Sequence, residues 1–226
     1  QDGVLTIGNF IYGYKGNIPE GTEIVIPYGI KYIADSAFGG QKNLAEVFIP
    51  DGVKFLGERN FYGCTSLKTI RLPSDLTEIP AYTFISAKNL THIDIPSGVT
   101  HIGAGAFQYC SSLEGISLPA GIETIESGIF SGCNSLEEIV LPASVKTPER
   151  QPLSNCDNLK RIFYEVTEAE WSALKAQENY AYVDYDGSIV LVESPFSNAQ
   201  VYFYSETKPD EAGNYWHYVD STPTIW

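Results

Sequence analysis

Apolar residues recur along the chain as triplets that alternate inward and outward and end in proline. Ile24-Val25-Ile26-Pro27 is followed by Val47-Phe48-Ile49-Pro50, Ile70-Arg71-Leu72-Pro73, Ile93-Asp94-Ile95-Pro96, Ile116-Ser117-Leu118-Pro119 and Ile139-Val140-Leu141-Pro142. Each proline lies 23 residues after the last, and Ile162-Phe163-Tyr164 keeps the phase with Glu165 in the proline's place. Further columns share the period. One is Leu44, Leu67, Leu90, Leu113, Leu136 and Leu159; a second is Phe38, Phe61, Phe84, Phe107 and Phe130, ending in Leu153. A third is Ile30, Val53, Leu76, Val99, Ile122 and Val145. A unit this short cannot bury its own apolar face, so neighbours must stack, and the pattern predicts a solenoid.

Within a unit, Leu-x-x-Ile-x-Leu reads as a short strand with Ile and Leu inward and the residue between them outward. Proline then ends the ladder, and glycine two residues on (Gly29, Gly52, Gly98, Gly121) marks a tight corner. Gly-Val-x-x-Ile gives a second extended piece. The stretch before the cysteine, such as Gly105-Ala106-Phe107-Gln108-Tyr109, has room only for a helical turn. Seven rungs about 4.8 Å apart make a rod roughly 30 Å long before its caps.

These residues resemble the BspA-like class of bacterial leucine-rich repeats, whose unit reads close to Leu-x-x-Ile-x-Leu-Pro, Val-x-x-Ile-Gly, Ala-Phe-x-x-Cys. The likeness covers about residues 24–165. The proline after the strand replaces the Asn or Cys ladder of the more familiar leucine-rich unit. The resemblance implies an α/β leucine-rich-repeat solenoid, a strand-dominated parallel sheet with short helical turns. It also implies a secreted or cell-surface protein of a host-associated microbe, given to adhesion or protein binding, with no catalytic residues to carry over. Residues 201–207 and 214–220 are worded like the tail that follows many such arrays.

Three segments follow: a cap at 1–23, the array at 24–165, and an aromatic, acidic piece at 166–226. In the first, Val4-Leu5-Thr6-Ile7 and Phe10-Ile11-Tyr12 read as strands that cover the open end. In the last, Thr167 and Glu170 form a capping box, with Val166 and Trp171 as its staple, ahead of a helix over about 168–178. Strand-like runs at 180–192, turning at Asp186-Gly187, then at 201–204 and 215–219, complete it.

Cys64, Cys110, Cys133 and Cys156 occupy one column, with Gln41 and Ala87 in its gaps. A linear column does not converge on a metal, and parallel neighbours rarely meet the disulfide torsion, so they read as buried free thiols. Two residues on, Asn43, Ser66, Asn89, Ser112, Ser135 and Asn158 form a polar ladder suited to backbone groups of the turn. The sequon Asn89-Leu90-Thr91 falls inside it and reads as structural.

Composition narrows the function. With 43% hydrophobic and 19% charged residues the chain is not disordered, and no apolar run nears the length of a membrane span. The net charge of −14 over 226 residues, with no basic cluster, argues against nucleic acid and against an anionic lipid surface. No cofactor or metal site is expected. Asp184, Asp186, Gly187, Ile189 and Glu193 match part of a calcium loop, but Tyr182 stands at its first position and an Asp-Gly hairpin explains the same letters. His92, Asp94 and Ser117 make a nominal catalytic set on a flat face without an oxyanion hole, so no enzyme is expected.

The outward columns of the strand remain: Val25, Phe48, Arg71, Asp94, Ser117, Val140, Phe163, and Glu23, Glu46, Thr69, His92, Gly115, Glu138, Arg161. Repeat proteins bind partners on such faces. The expected partner is a protein or glycoprotein, including one of a host. It would be held by Glu46, Phe48, Arg71, His92, Asp94, Ser117, Glu138 and Arg161. The rival readings are carbohydrate stacking on Trp216, Tyr218 and Trp226, and a spacer in a longer surface protein.

Overall fold

The computed structural model describes residues 2–148, 151–170, 181–183, 189–191, 199–206, 208–209 and 213–226. The triplets form parallel strands on one side of a solenoid. Thr22–Val25, Leu44–Phe48 and Thr69–Arg71 make one ladder. Gly115–Ser117, Glu138–Leu141 and Arg161–Tyr164 make a second, each pairing in the 23-residue register. The sheet does not stop there. Gln200–Tyr204 pairs in parallel with Arg161–Tyr164, Tyr215–Val219 follows it in parallel, and Thr222–Ile225 closes antiparallel.

The second extended piece of each unit is a two-residue strand, as at Tyr32–Ile33, Phe55–Leu56, Glu78–Ile79, His101–Ile102 and Thr124–Ile125. An antiparallel hairpin of Gly3–Ile7 and Phe10–Lys15 caps this side, Phe10 pairing with Tyr32.

The third side corrects one expectation. Residues 36–41 and their equivalents are successive tight turns, not helical turns. Alternate amides bond within the turn, as Ala37 N to Ala34 O and Gly39 N to Ser36 O. The amides between them, Ser36, Phe38 and Gly40, donate to Glu58, Asn60 and Tyr62 of the next repeat. A continuing helix would send successive amides back along its own chain; here every second one ties the stack together. Two positions per turn are left-handed. One column holds Ser36, Arg59, Tyr82, Gly105, Gly128 and Gln151, the other Gly40, Gly63, Ser86, Tyr109, Gly132 and Asn155, all with φ between 46° and 77°.

The predicted columns fill the interior. The Leu44 to Leu136 column and the Phe38 to Phe130 column are wholly buried. Successive Phe rings stack nearly parallel, with centroids 5.4–5.7 Å apart. The four cysteines are free and buried. Their Sγ atoms lie 3.1–3.2 Å from the carbonyl oxygens of Phe38, Phe84, Phe107 and Phe130, one repeat earlier. Burial pushes the Cys64 and Cys110 thiols up to about 12 and Cys156 to about 11. They therefore behave as small core groups, not nucleophiles. In the polar ladder, Asn43 donates to Ile18 O and Asn158 to Asn134 O, whereas Asn89 is exposed.

The strand ladder lapses at 92–95, which pairs with neither neighbouring strand. Leu90 and Ile93 nevertheless stay buried there. A backbone hydrogen bond contributes about 1 kcal/mol net, against roughly 2–3 kcal/mol for each large apolar side chain removed from water. The columns therefore keep that rung in phase without the ladder.

In the C-terminal piece the capping box forms: Glu170 Oε2 accepts from Thr167 N and Oγ1, and Glu170 N donates to Thr167 Oγ1. Helix begins at 168; its continuation and Trp171 lie outside the described residues. Ala181–Val183 pairs antiparallel with Ile189–Leu191 as a hairpin requires. Asp184, Asp186, Gly187 and Glu193 lie outside the described residues.

Truncating the middle of the Phe column tests this packing. Phe84→Ala, with rings stacked on both sides, is expected to lower unfolding stability by about 3–5 kcal/mol in urea titration. A loss under about 1 kcal/mol would mean that the column is not what holds adjacent rungs.

Candidate functional site

Strand alternation sends Glu46, Phe48, Arg71, His92, Asp94 and Ser117 outward, and every one of them except half-buried Phe48 is exposed. The register places Phe48 beside Arg71 and Glu46 beside Thr69. Arg71 is not free. Its guanidinium lies 4.6 Å over the Phe48 ring, and Nη2 reaches Asp51 Oδ2 at 3.2 Å. Asp51 in turn accepts from Ser74 N at 2.8 Å and Ser74 Oγ at 3.0 Å. These bonds from Ser74, and then the charge of Arg71, hold the Asp51 carboxyl below its ordinary value.

Asp51 and Ser74 were not legible as site residues, because they lie in the corner after the proline, outside the strand columns. They fix the direction of the strand-face arginine.

His92 Nε2 is 2.9 Å from Asp94 Oδ1, with the side chains 70% and 96% exposed. Among the described residues no hydrogen bond joins Ser117 to His92. The catalytic arrangement is not assembled; what exists is an open polar pair on the rung where the ladder lapses.

Above it, Gly115 leaves a gap in the outward column. A polar cleft of about 730 Å³ opens there, lined by His92, Glu114, Gly115, Glu138, Asn158 and Arg161 among others. Glu138 and Arg161 are brought together as the register requires, Glu138 Oε2 accepting from Nη2 at 2.9 Å and from Nε at 3.3 Å. Beside them Lys160 Nζ donates to Glu137 at 3.0 Å, and this bond and charge keep the Glu137 carboxyl low.

The face closes at the C-terminal end. Val140 and Phe163 are outward by register yet buried, Phe163 only 2% exposed. Trp216 covers them, with Tyr202 and Tyr204 packed against the cluster. Trp216 is 0% exposed and donates its Nε1 to Tyr164 O. That corrects the expectation of a sugar-stacking surface at Trp216: the cap spends this ring on covering the sheet. Trp226 has one face stacked on His217 at 3.7 Å. Tyr218 donates to Glu165, and partial burial and this bond push its hydroxyl well above the ordinary range. Among the described residues no group of three or more metal-ligating side chains converges, and no helix is long and apolar enough to cross a membrane.

The family described as BspA type Leucine rich repeat region matches in six copies, over residues 6–121 and 77–201. The chain belongs to that family. This BspA-type protein is similar in structure to the T. pallidum Leucine Rich Repeat protein, with TM-score 0.62 and 26% identity over 79% of this chain and 92% of that one. It is similar also to a leucine rich cell surface protein from Faecalibacterium prausnitzii, with TM-score 0.59 and 26% identity over 90% of this chain. It spans 62% of that protein's length. A leucine-rich repeat protein from Bacteroides ovatus aligns at TM-score 0.54 and 26% identity, over 74% of this chain and 54% of that one. No curated protein matches. The BspA-type array thus carries an open polar strand face, ended by the aromatic wall of its own cap.

The Asp51 network has a pH signature. Because the folded carboxyl titrates below the unfolded one, its contribution is present above the ordinary Asp range and is lost as pH falls through the folded value. Side-chain NMR titration is expected to show Asp51 below 3.8, and Ser74→Ala should return it upward. An unshifted Asp51 would remove the anchor assigned to Arg71.

Proposed function

We propose that this chain is a non-catalytic extracellular or cell-surface module that binds a protein or glycoprotein, as in adhesion to a host, through the open stretch of its strand face. The observation that carries this reading is Arg71, held in place by Phe48 below and Asp51 beside it although it is exposed. Exposed arginines ordinarily lose side-chain freedom on binding; one already fixed avoids much of that cost. Arginine and aromatic residues are also the usual anchors of protein interfaces. Glu46, His92, Asp94 and Ser117 surround it as the polar rim, and Glu138 and Arg161 border the Gly115 cleft at the far side. Support for an extracellular setting comes from the F. prausnitzii structure, which is described as a cell surface protein.

The test is retention of purified epithelial surface proteins and mucin on the immobilised chain beside an Arg71→Ala/Asp94→Ala variant. The expected outcome is a ligand bound by the parent and weakened about tenfold or more, roughly 1.4 kcal/mol, in the variant. A bound ligand indifferent to both substitutions would move the function off this face.

A further inference from the structure

The turn side of the rod carries a feature that the strand-face reading does not use. Each turn needs left-handed backbone at two positions, and glycine meets that need at Gly105 and Gly128 in one column and at Gly40, Gly63 and Gly132 in the other. Five of the six turns place another residue at one or both positions, Ser36, Ser86, Gln151 and Asn155 among them, and three adjacent turns carry a bulky Arg or Tyr there. Arg59 (φ 54°) and Tyr82 (φ 57°) occupy the first column, and Tyr109 (φ 60°) the second. A bulky side chain at positive φ crowds its own backbone. Glycine makes the same turn a rung away, so the fold does not require these side chains where they stand. Avoidable strain of this kind points to a use outside the fold.

The side chains form a built surface. The Tyr62 ring lies over Gly39, Tyr82 over Gly105 and Tyr109 over Gly132, each on a neighbouring turn. A Cβ at those glycines would fall 2.5, 2.6 and 2.4 Å from the nearest ring carbon. Each ring is therefore seated where only glycine leaves room. Tyr62 and Tyr109 are nonetheless 43% and 49% exposed. The Arg59 guanidinium sits 4.9 Å over the Tyr82 ring and pairs with Glu58 at 3.3 Å. The Gln108 carboxamide lies beside Gly105.

We propose that this turn face binds a neutral oligosaccharide chain lying along the rod, its sugar C–H faces on Tyr62 and Tyr109 and its hydroxyls bonded to Gln108 and to Arg59, which Tyr82 seats. Tyr62 and Tyr109 are borne two rungs apart, roughly 10 Å along the rod, so an extended ligand meets them in turn. They are seated in advance, so little ordering is lost on binding. A globular protein partner fits less well, because protein hot spots sit in pockets that can be dried and the outer turns form a ridge. A polyanion is disfavoured as well: Glu58 offsets Arg59, and the chain carries −14 overall. The inference does not depend on the strand face.

The full chain is titrated calorimetrically with cellohexaose, laminarihexaose, mannohexaose and chitohexaose. A hyaluronan hexasaccharide serves as the anionic comparison and a neutral unstructured peptide as the polypeptide one. The variant is Tyr82→Gly/Tyr109→Gly, which keeps the left-handed backbone accessible. The expected result is binding of at least one neutral hexaose, weakened about tenfold or more in the variant, whose Tm is equal to or above that of the parent. Four results would overturn the proposal: no neutral hexaose bound, binding unchanged in the variant, preference for hyaluronan or the peptide, or a Tm that falls in the variant. The last would show that the rings serve the fold.

Discussion

The structure depends on side-chain columns that repeat every 23 residues and bury themselves only against copies of themselves. No single unit can shield Phe84 or Leu90; the units before and after do it. The rung at 92–95 shows how far this carries. Its backbone ladder lapses, yet Leu90 and Ile93 remain buried. Apolar stacking sets the phase, and the hydrogen bonds follow where geometry permits. The turns add the second tie, by sending alternate amides such as Phe38 N to the next repeat.

A rod assembled this way has two open ends and two very different sides. At the N-terminal end the hairpin at Gly3–Lys15 covers the sheet of two-residue strands. At the other end the strand sheet continues through Gln200–Tyr204, and Trp216 folds over Phe163. That cover closes the outward column at Val140 and Phe163 and gives the open strand face a wall. The strand side is broad and polar, with Arg71 fixed in direction. The turn side is a ridge bearing tyrosines on glycines. One period therefore generates two surfaces of different chemistry.

Much of this was legible in the sequence. The triplets, the proline stops, the Phe and Leu columns, the N-terminal hairpin and the Thr167–Glu170 capping box all follow from local patterns, and each is where its residues predict except the triplet at 93–95, which keeps phase without forming a strand. What was not legible depends on partners across repeats. Gly105-Ala106-Phe107-Gln108-Tyr109 reads locally as a helical turn, but the neighbouring turns claim half its amides and force the chain into successive tight turns. Phe163 reads as outward, which by register it is; only the fold of the tail reveals that Trp216 lies on it. Asp51 sits outside the strand columns and gains meaning only through Ser74 and Arg71. The left-handed positions are masked because Ser36, Arg59, Tyr82, Ser86, Tyr109, Gln151 and Asn155 stand where glycine would have announced them.

If the columns set the phase, the array should tolerate removal of one whole period and nothing else. The decisive measurement is small-angle scattering with urea unfolding on a chain lacking residues 100–122, which joins Val99 to Glu123 and leaves every column in register. A folded, cooperatively unfolding rod shorter by about 4.8 Å is expected, whereas excision of about half a period should abolish folding. An unfolded product from the whole-period excision, or a folded one from the half-period excision, would contradict the account.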